Sequence, residues 1–169
     1  MHSAPDPLAD SADPALDALG KFRLIFGSSK AHFYRIEKAC GLSGAQAWAL
    51  SEVCLHGPLR LNALARKLSI KQPTCSNLVE KLVGEGMLQR QKDPADSRAI
   101  LLEATALGRQ TINRAPAPLE GILPAALRSL PAGQLAQLNA TLDRLIEVLA
   151  HANPQLSGTP LASILDGGE

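Results

Sequence analysis

Aromatic side chains are scarce in this chain of 169 residues, with three Phe, one Tyr and one Trp. Leu and Ala must fill the core instead, and that suits helices packed on helices. Long apolar runs are also missing. None approaches the roughly 20 residues that span a bilayer, so no membrane role is expected. The opening "MHSAPDPLADSADPALDAL" is acidic and broken by prolines. It has neither the basic start nor the apolar middle of a signal peptide, so the expected location is cytoplasmic. Cysteines number three, Cys40, Cys54 and Cys75, with no C-x-x-C pair and no His at metal spacing. A disulfide scaffold and a metal site are therefore not expected. Reduced, mostly buried thiols are the plain reading, and a thiol sensor using Cys40 or Cys54 is the alternative. Motifs of catalysis are lacking too. There is no G-x-x-x-x-G-K phosphate loop and no G-x-S-x-G elbow, and His2, His32, His56 and His151 are scattered. Cys54 and His56 are two apart, which puts them on different helix faces. Neither an enzyme nor a cofactor is expected.

What is present is an uneven charge. The net charge is only +1. Yet residues 57–114 hold ten Lys/Arg against five Asp/Glu, while the remainder holds seven against eleven. The middle of the chain is the part suited to a polyanion.

The pattern divides the chain. Residues 1–14 read as a disordered or arm-like N-terminus. Leu16, Leu19, Phe22, Phe26, Phe33 and Ile36 mark one face of a long helix over 16–39, ended by Gly41. Ser43 can cap a second helix to about Leu55, and Gly57-Pro58 breaks it. Leu61, Leu64, Ala65 and Leu68 then form the apolar side of a short helix. Gln72-Pro73 opens another, with Leu78, Val79, Leu82 and Val83 on its buried side. Two short helices joined by a tight turn make a helix-turn-helix. "MLQRQK" and "AILLE" read as paired strands around a turn from Asp93 to Ser97, which adds a wing, and Leu59 to Leu61 can supply a third small strand. A helix should begin at Thr105, and Pro116, Pro118 and Pro124 should bend or break it. Leu135, Leu138, Leu142, Leu145 and Leu149 lie on a last helix over 132–152, spaced as a seam for another helix. The expected fold is mainly α with a small β-hairpin wing. Residues 15–41 and 105–152 form a helical dimerisation region, 42–104 the winged helix-turn-helix, and 153–169 a poorly patterned tail.

From about Leu16 to Leu149 the chain resembles the MarR family of bacterial regulators. The stretch "LSGAQAWAL" is similar to the opening of that family's second helix. "PLRLNALARKLSIKQPTCSNLVEKLVGEGMLQRQKDPADSRAILLEATALG" is similar to its helix-turn-helix, wing and return to the dimer helices. The wing's Asp-x-Arg, Asp96 and Arg98, and the T-x-x-G of Thr105 to Gly108 stand at the family's spacing. The chain departs in the prolines of the fifth helix, and in Ser97, where a second arginine is common. The resemblance implies a homodimer on near-palindromic, double-stranded promoter DNA. It also implies a repressor released by a small, often aromatic and anionic, ligand.

The chemistry of reading DNA then assigns residues. Gln72, Thr74, Ser76 and Asn77 lie near the N-terminus of the expected recognition helix, where base edges are read. Lys71, Lys81, Arg66 and Arg60 are expected on phosphates, and Arg90 and Lys92 on the backbone beside the wing. Arg98 is the candidate for the minor groove, with Asp96 accepting hydrogen bonds from it and from the turn. For an effector, an aromatic carboxylate, the candidates are His32, Phe33, Tyr34 and Trp48, with His32 able to pair with the carboxylate. A non-specific architectural DNA-binding protein is the remaining alternative, which the low overall charge disfavours.

Overall fold

Asp13 starts the first helix, its side chain accepting the Ala15 N–H at 2.9 Å ahead of Pro14 at the first helical position. The computed structural model describes residues 13–149 and 152–166, so the expected N-terminal arm lies, but for Asp13 and Pro14, outside the described residues. Helix α1, Pro14–Cys40, ends at Gly41, whose φ of 74° is the left-handed cap conformation. Only its C-terminal half is buried, through Ser29, His32, Phe33, Ile36 and Cys40. The expected apolar face is thus split, since Leu16, Leu19 and Phe26 stay exposed.

Helix α2, Gly44–His56, opens with a complete capping box. The Ser43 hydroxyl accepts the Gln46 N–H, and the Gln46 side chain accepts the Ser43 N–H. It is the central helix, with Ala45, Ala47, Ala49, Leu50 and Val53 all buried. Strand β1, Leu59–Arg60, leads into α3, Leu61–Lys67, and α4, Gln72–Gly84. Between them Ser69 takes a left-handed φ of 54°, and the Ile70 N–H returns to the Ala65 carbonyl at 3.1 Å. That tight turn fixes the angle of the helix-turn-helix.

Strands β2, Leu88–Asp93, and β3, Asp96–Ala104, pair antiparallel, and β1 pairs on the other edge of β3. The strands run into the expected turn and leave only Pro94 and Ala95 between them. Helix α5, Ala106–Ile112, is shorter than the reading from Thr105 to Ala115. The proline-rich stretch beyond it makes a loop, not a bent helix. Pro124 does not break α6, Ile122–Ser129, because it falls in the first turn, where no intrahelical N–H is needed. Helix α7, Ala132–Val148, stops four residues before the expected end at Ala152. The tail, expected to be unpatterned, is folded. A 3-10 turn, Pro154–Gly158, is followed by a short helix α8, Leu161–Asp166, which packs on α1 and α2. The core gathers Ile36, Leu42, Leu50, Leu64, Leu82 and Leu88 under the helix-turn-helix and sheet.

Candidate nucleic-acid interface

Helix α4 is two-sided. Cys75, Leu78, Val79 and Leu82 are buried at helical spacing, while Gln72 and Asn77 are exposed and Thr74 and Ser76 half-buried. The four polar residues expected to read bases are therefore together at the N-terminal half, clear of the core. Cys75 lies among them in sequence but not in space. Its Sγ faces the Leu61 carbonyl on α3 at 3.9 Å, and burial pushes its thiol up to about 11.

The cations divide by partner. Arg66, Lys71, Lys81, Lys92 and Arg98 are exposed, and among the described residues no carboxylate lies within ion-pair distance of them. These are available to a polyanion. Arg60 and Arg90 are engaged inside the unit. The Arg60 guanidinium meets Asp93 at 2.6 Å and Asp96 at 3.5 Å, which pins strand β1 to the wing turn. Arg90 on β2 pairs with Glu80 on α4, tying the wing to the recognition helix. Both remain partly exposed, but their first partners are carboxylates.

The expected role of Asp96 needs correction. Its Oδ1 accepts the backbone N–H of Arg98 at 3.1 Å, as expected of a turn. The guanidinium it faces belongs to Arg60, and among the described residues its carboxylate makes no hydrogen bond to the Arg98 side chain. Asp96 thus sets the backbone of the wing, while the Arg98 side chain stays exposed. Asp93, which sequence reasoning missed, has more partners. It accepts the Ala95 N–H at 2.9 Å and two hydrogen bonds from Arg60. Those bonds hold its carboxyl below the usual carboxylate range. The only hint in the sequence was Asp-Pro at a turn; nothing in linear spacing joins positions 60 and 93.

The T-x-x-G motif has a local cause. The Thr105 hydroxyl donates to the Gly86 carbonyl at 2.7 Å and accepts the Gly108 N–H at 3.0 Å. One side chain thereby ends the sheet and caps α5.

The candidate effector residues do not form one site. Phe33 and Trp48 line a cavity of about 180 Å³ together with Ser69, Ile70, Glu120 and residues of the tail. His32 is buried but committed elsewhere, 2.9 Å from the Pro118 carbonyl through Nε2 and 3.4 Å from Arg35 through Nδ1. A carbonyl partner requires the proton on Nε2, which leaves Nδ1 to accept from the guanidinium. Tyr34 is 64% exposed. The cavity holding Phe33 and Trp48 offers no cation among its walls, only Glu120. A second hollow, between α2 and α5, was not anticipated. It measures about 320 Å³ and is lined by Ser51, Cys54, Leu55, Arg109, Asn113 and Leu119. It shares Ser51, Leu55 and Leu119 as walls with a groove beside Trp48. Of the other two thiols, Cys40 is buried and donates to the Ile36 carbonyl at 3.1 Å. Burial raises the Cys54 thiol, against a smaller opposing pull from Arg109.

Likeness to known proteins agrees with this arrangement. Residues 41–99, from the start of the second helix to the wing, match the sequence profile of the MarR family. An uncharacterized HTH-type transcriptional regulator, YkoM of Bacillus subtilis, is 23% identical over 105 residues, covering 62% of this chain and 68% of its own. The crystal structure of a probable transcriptional regulator from Pseudomonas aeruginosa is 28% identical, with a TM-score of 0.52 over 77% of this chain and 98% of that one. The fold is also that of a mutant MarR from E. coli, solved in complex with operator DNA, at 18% identity and a TM-score of 0.52 over 79% of this chain and 99% of that one. The profile match falls on the helix-turn-helix and wing, and the shared fold extends through the flanking helices. Residues 41–99, the helix-turn-helix and wing, are thus similar to the MarR family of transcriptional regulators.

Proposed function

We propose that the chain is a sequence-specific DNA-binding regulator that represses by occupying a near-palindromic promoter site as a homodimer. The observation that carries this reading is the pairing, on one unit, of a polar row at the start of α4, exposed at Gln72 and Asn77, with exposed cations on α3, α4 and the wing that meet no carboxylate among the described residues. Gln72 and Asn77 can each make two hydrogen bonds to adenine, and Thr74 can meet a thymine methyl. Arg66, Lys71, Lys81 and Lys92 would neutralise phosphates, and Arg98 would enter the minor groove beside the site. The fold is shared with a protein solved in complex with operator DNA, which supports duplex DNA as the partner here. A specific regulator keeps its own promoter fragment in an excess of random DNA; an architectural protein releases it. Selection from a random duplex pool should yield an inverted repeat. Arg98→Ala should then weaken binding to it and lower the salt slope by about 0.9 for each phosphate no longer neutralised. An unchanged slope would exclude Arg98 from DNA.

Release by an aromatic carboxylate is supported by the hollow between α2 and α5. Arg109 supplies a cation there, Leu55 and Leu119 an apolar wall, and Trp48 a ring in the adjoining groove. This moves the anionic end of the ligand away from Phe33 and His32. Benzoate and hydroxybenzoates should raise the melting temperature of the parent and not that of Arg109→Ala. Equal stabilisation of both would remove Arg109 from the site.

A further inference from the structure

The segment Pro154–Asp166 lies outside the helix-turn-helix and wing and lines no part of the hollow beside Arg109, yet it is anchored at both ends. At its far end Ala162 is buried, and Leu161 and Leu165 pack on the core. The seat is shaped for it. A Cβ on Gly44 would lie 2.4 Å from the Phe33 ring and 2.9 Å from the Ala162 Cβ. Only glycine there lets α1 and α8 both close on the first turn of α2. At the near end, the Gly158 carbonyl accepts the Lys71 N–H at 3.4 Å. Along the same contact, a Cβ on Gly158 would stand 3.1, 3.4 and 3.6 Å from Lys71 Cγ, Cε and Cδ. The whole stem of Lys71 therefore lies along the Gly158 backbone.

Lys71 is the residue that opens α4, and it makes no side-chain cap of its own. A free lysine stem samples many rotamers and loses that freedom when its ammonium is fixed on a phosphate. A stem already laid against a backbone has less to lose. The segment holds no Asp, Glu, Lys or Arg from Asn153 to Leu165. Its one charged residue, Asp166, closes α8 at the far end and does not attract phosphate, so any gain in DNA binding from the segment must run through what it touches.

We infer that the C-terminal segment is a strap that positions Lys71 for its phosphate contact, and through α8 ties the start of the reading helix to α1 and α2. The inference rests on α4 being the DNA-reading helix. Three variants test it against a random-sequence duplex in a salt series, because the phosphate contact does not depend on sequence. Lys71→Ala removes the ammonium. Gly158→Val wedges the stem aside without backbone strain, since φ at 158 is not in the left-handed region. Ala162→Asp expels α8, which limited proteolysis of the tail reports. Lys71→Ala should lower the slope of log affinity against log salt by about 0.9 for the one phosphate that Lys71 would neutralise, while Gly158→Val and Ala162→Asp, which keep the ammonium, should lower affinity by a smaller factor than Lys71→Ala does. Gly158→Val added to Lys71→Ala should change nothing further. The strap has no such role if the tail of Ala162→Asp is cut while slope and affinity match the parent, or if affinity rises. Additive losses in the double variant overturn it equally. If Arg98→Ala lowers the slope and Lys71→Ala does not, the strap inference fails alone. If the unaltered protein binds no duplex, the DNA-binding reading fails and takes the strap with it.

Discussion

Asp93 is held from two directions, by the Arg60 guanidinium at 2.6 Å and by the Ala95 N–H at 2.9 Å. Both partners favour the ionised carboxyl, and the hydrogen bond from Arg60 is the larger cause of its lowered pKa. A carboxyl with a depressed folded pKa contributes stability above its unfolded value, near 3.9, and loses it as pH falls through the folded value. The wing turn should therefore keep this ion pair at mildly acidic pH and give it up only below the ordinary carboxylate range. An NMR titration of the Asp93 side-chain carboxyl should have its midpoint below about 3.9. A midpoint at or above that value would show that Arg60 does not hold Asp93 in solution. None of this was legible from position. Asp-x-Arg drew attention to Asp96 and Arg98 as a pair, but β1 lies beside β3 and delivers Arg60 to the acids instead. Which cation an acid meets across a sheet is set by strand pairing, which short-range spacing does not encode.

Helices and strands with strong local signals were legible. Gly41 and Ser43 stand where the structure caps α1 and α2, and the helix read from Thr105 begins there, because a helix end is a local event with its own residue types. The recognition-helix row was readable for the same reason: buried and polar residues alternate with the helical period. The tail was not legible. The strap's 3-10 turn and six-residue helix carry no periodic stripe, and what seats them is the absence of side chains at Gly44 and Gly158. The junction of α5 with the sheet depends on another such absence. A Cβ on Gly108 would lie 2.2 Å from the Met87 carbonyl oxygen and 3.2 Å from Leu50. A backbone atom cannot swing aside as a side chain can, so α5 would have to lift from Met87, where the chain enters β2. Gly108→Ala should cost roughly 1–3 kcal/mol, in the range of strained core substitutions. Urea denaturation measures it, and a variant as stable as the parent would show that the junction is looser than its geometry.

The exposed apolar surface is concentrated on the outer helices, α1 and α7. Leu16 is 64% exposed, Leu24 70% and Val148 77%, with Ile25, Phe26, Leu145, Ile146 and Leu149 alongside. Single exposed leucines are ordinary, but a run of them along two helices outside the DNA-reading unit is what a partner covers. A hollow of about 430 Å³ between Phe22, Phe26, Leu127, Leu138 and Leu142 lies in the same region. We propose a second copy of this chain as the occupant, which would place two recognition helices in successive major grooves on one face of the duplex, about 34–36 Å apart. Leu24→Glu separates this from a structural role. Because Leu24 already faces solvent within one chain, a charge there should leave the fold of that chain unchanged by circular dichroism. Buried against a second copy, the same charge would lose its hydration without a partner. Sedimentation equilibrium should then show the parent as two chains and Leu24→Glu as one. On DNA, the parent should require both half-sites about 10 base pairs apart, whereas the single chain should bind a lone half-site weakly and gain nothing from the second. A Leu24→Glu protein that sediments as two chains would remove this stretch of α1 from the interface.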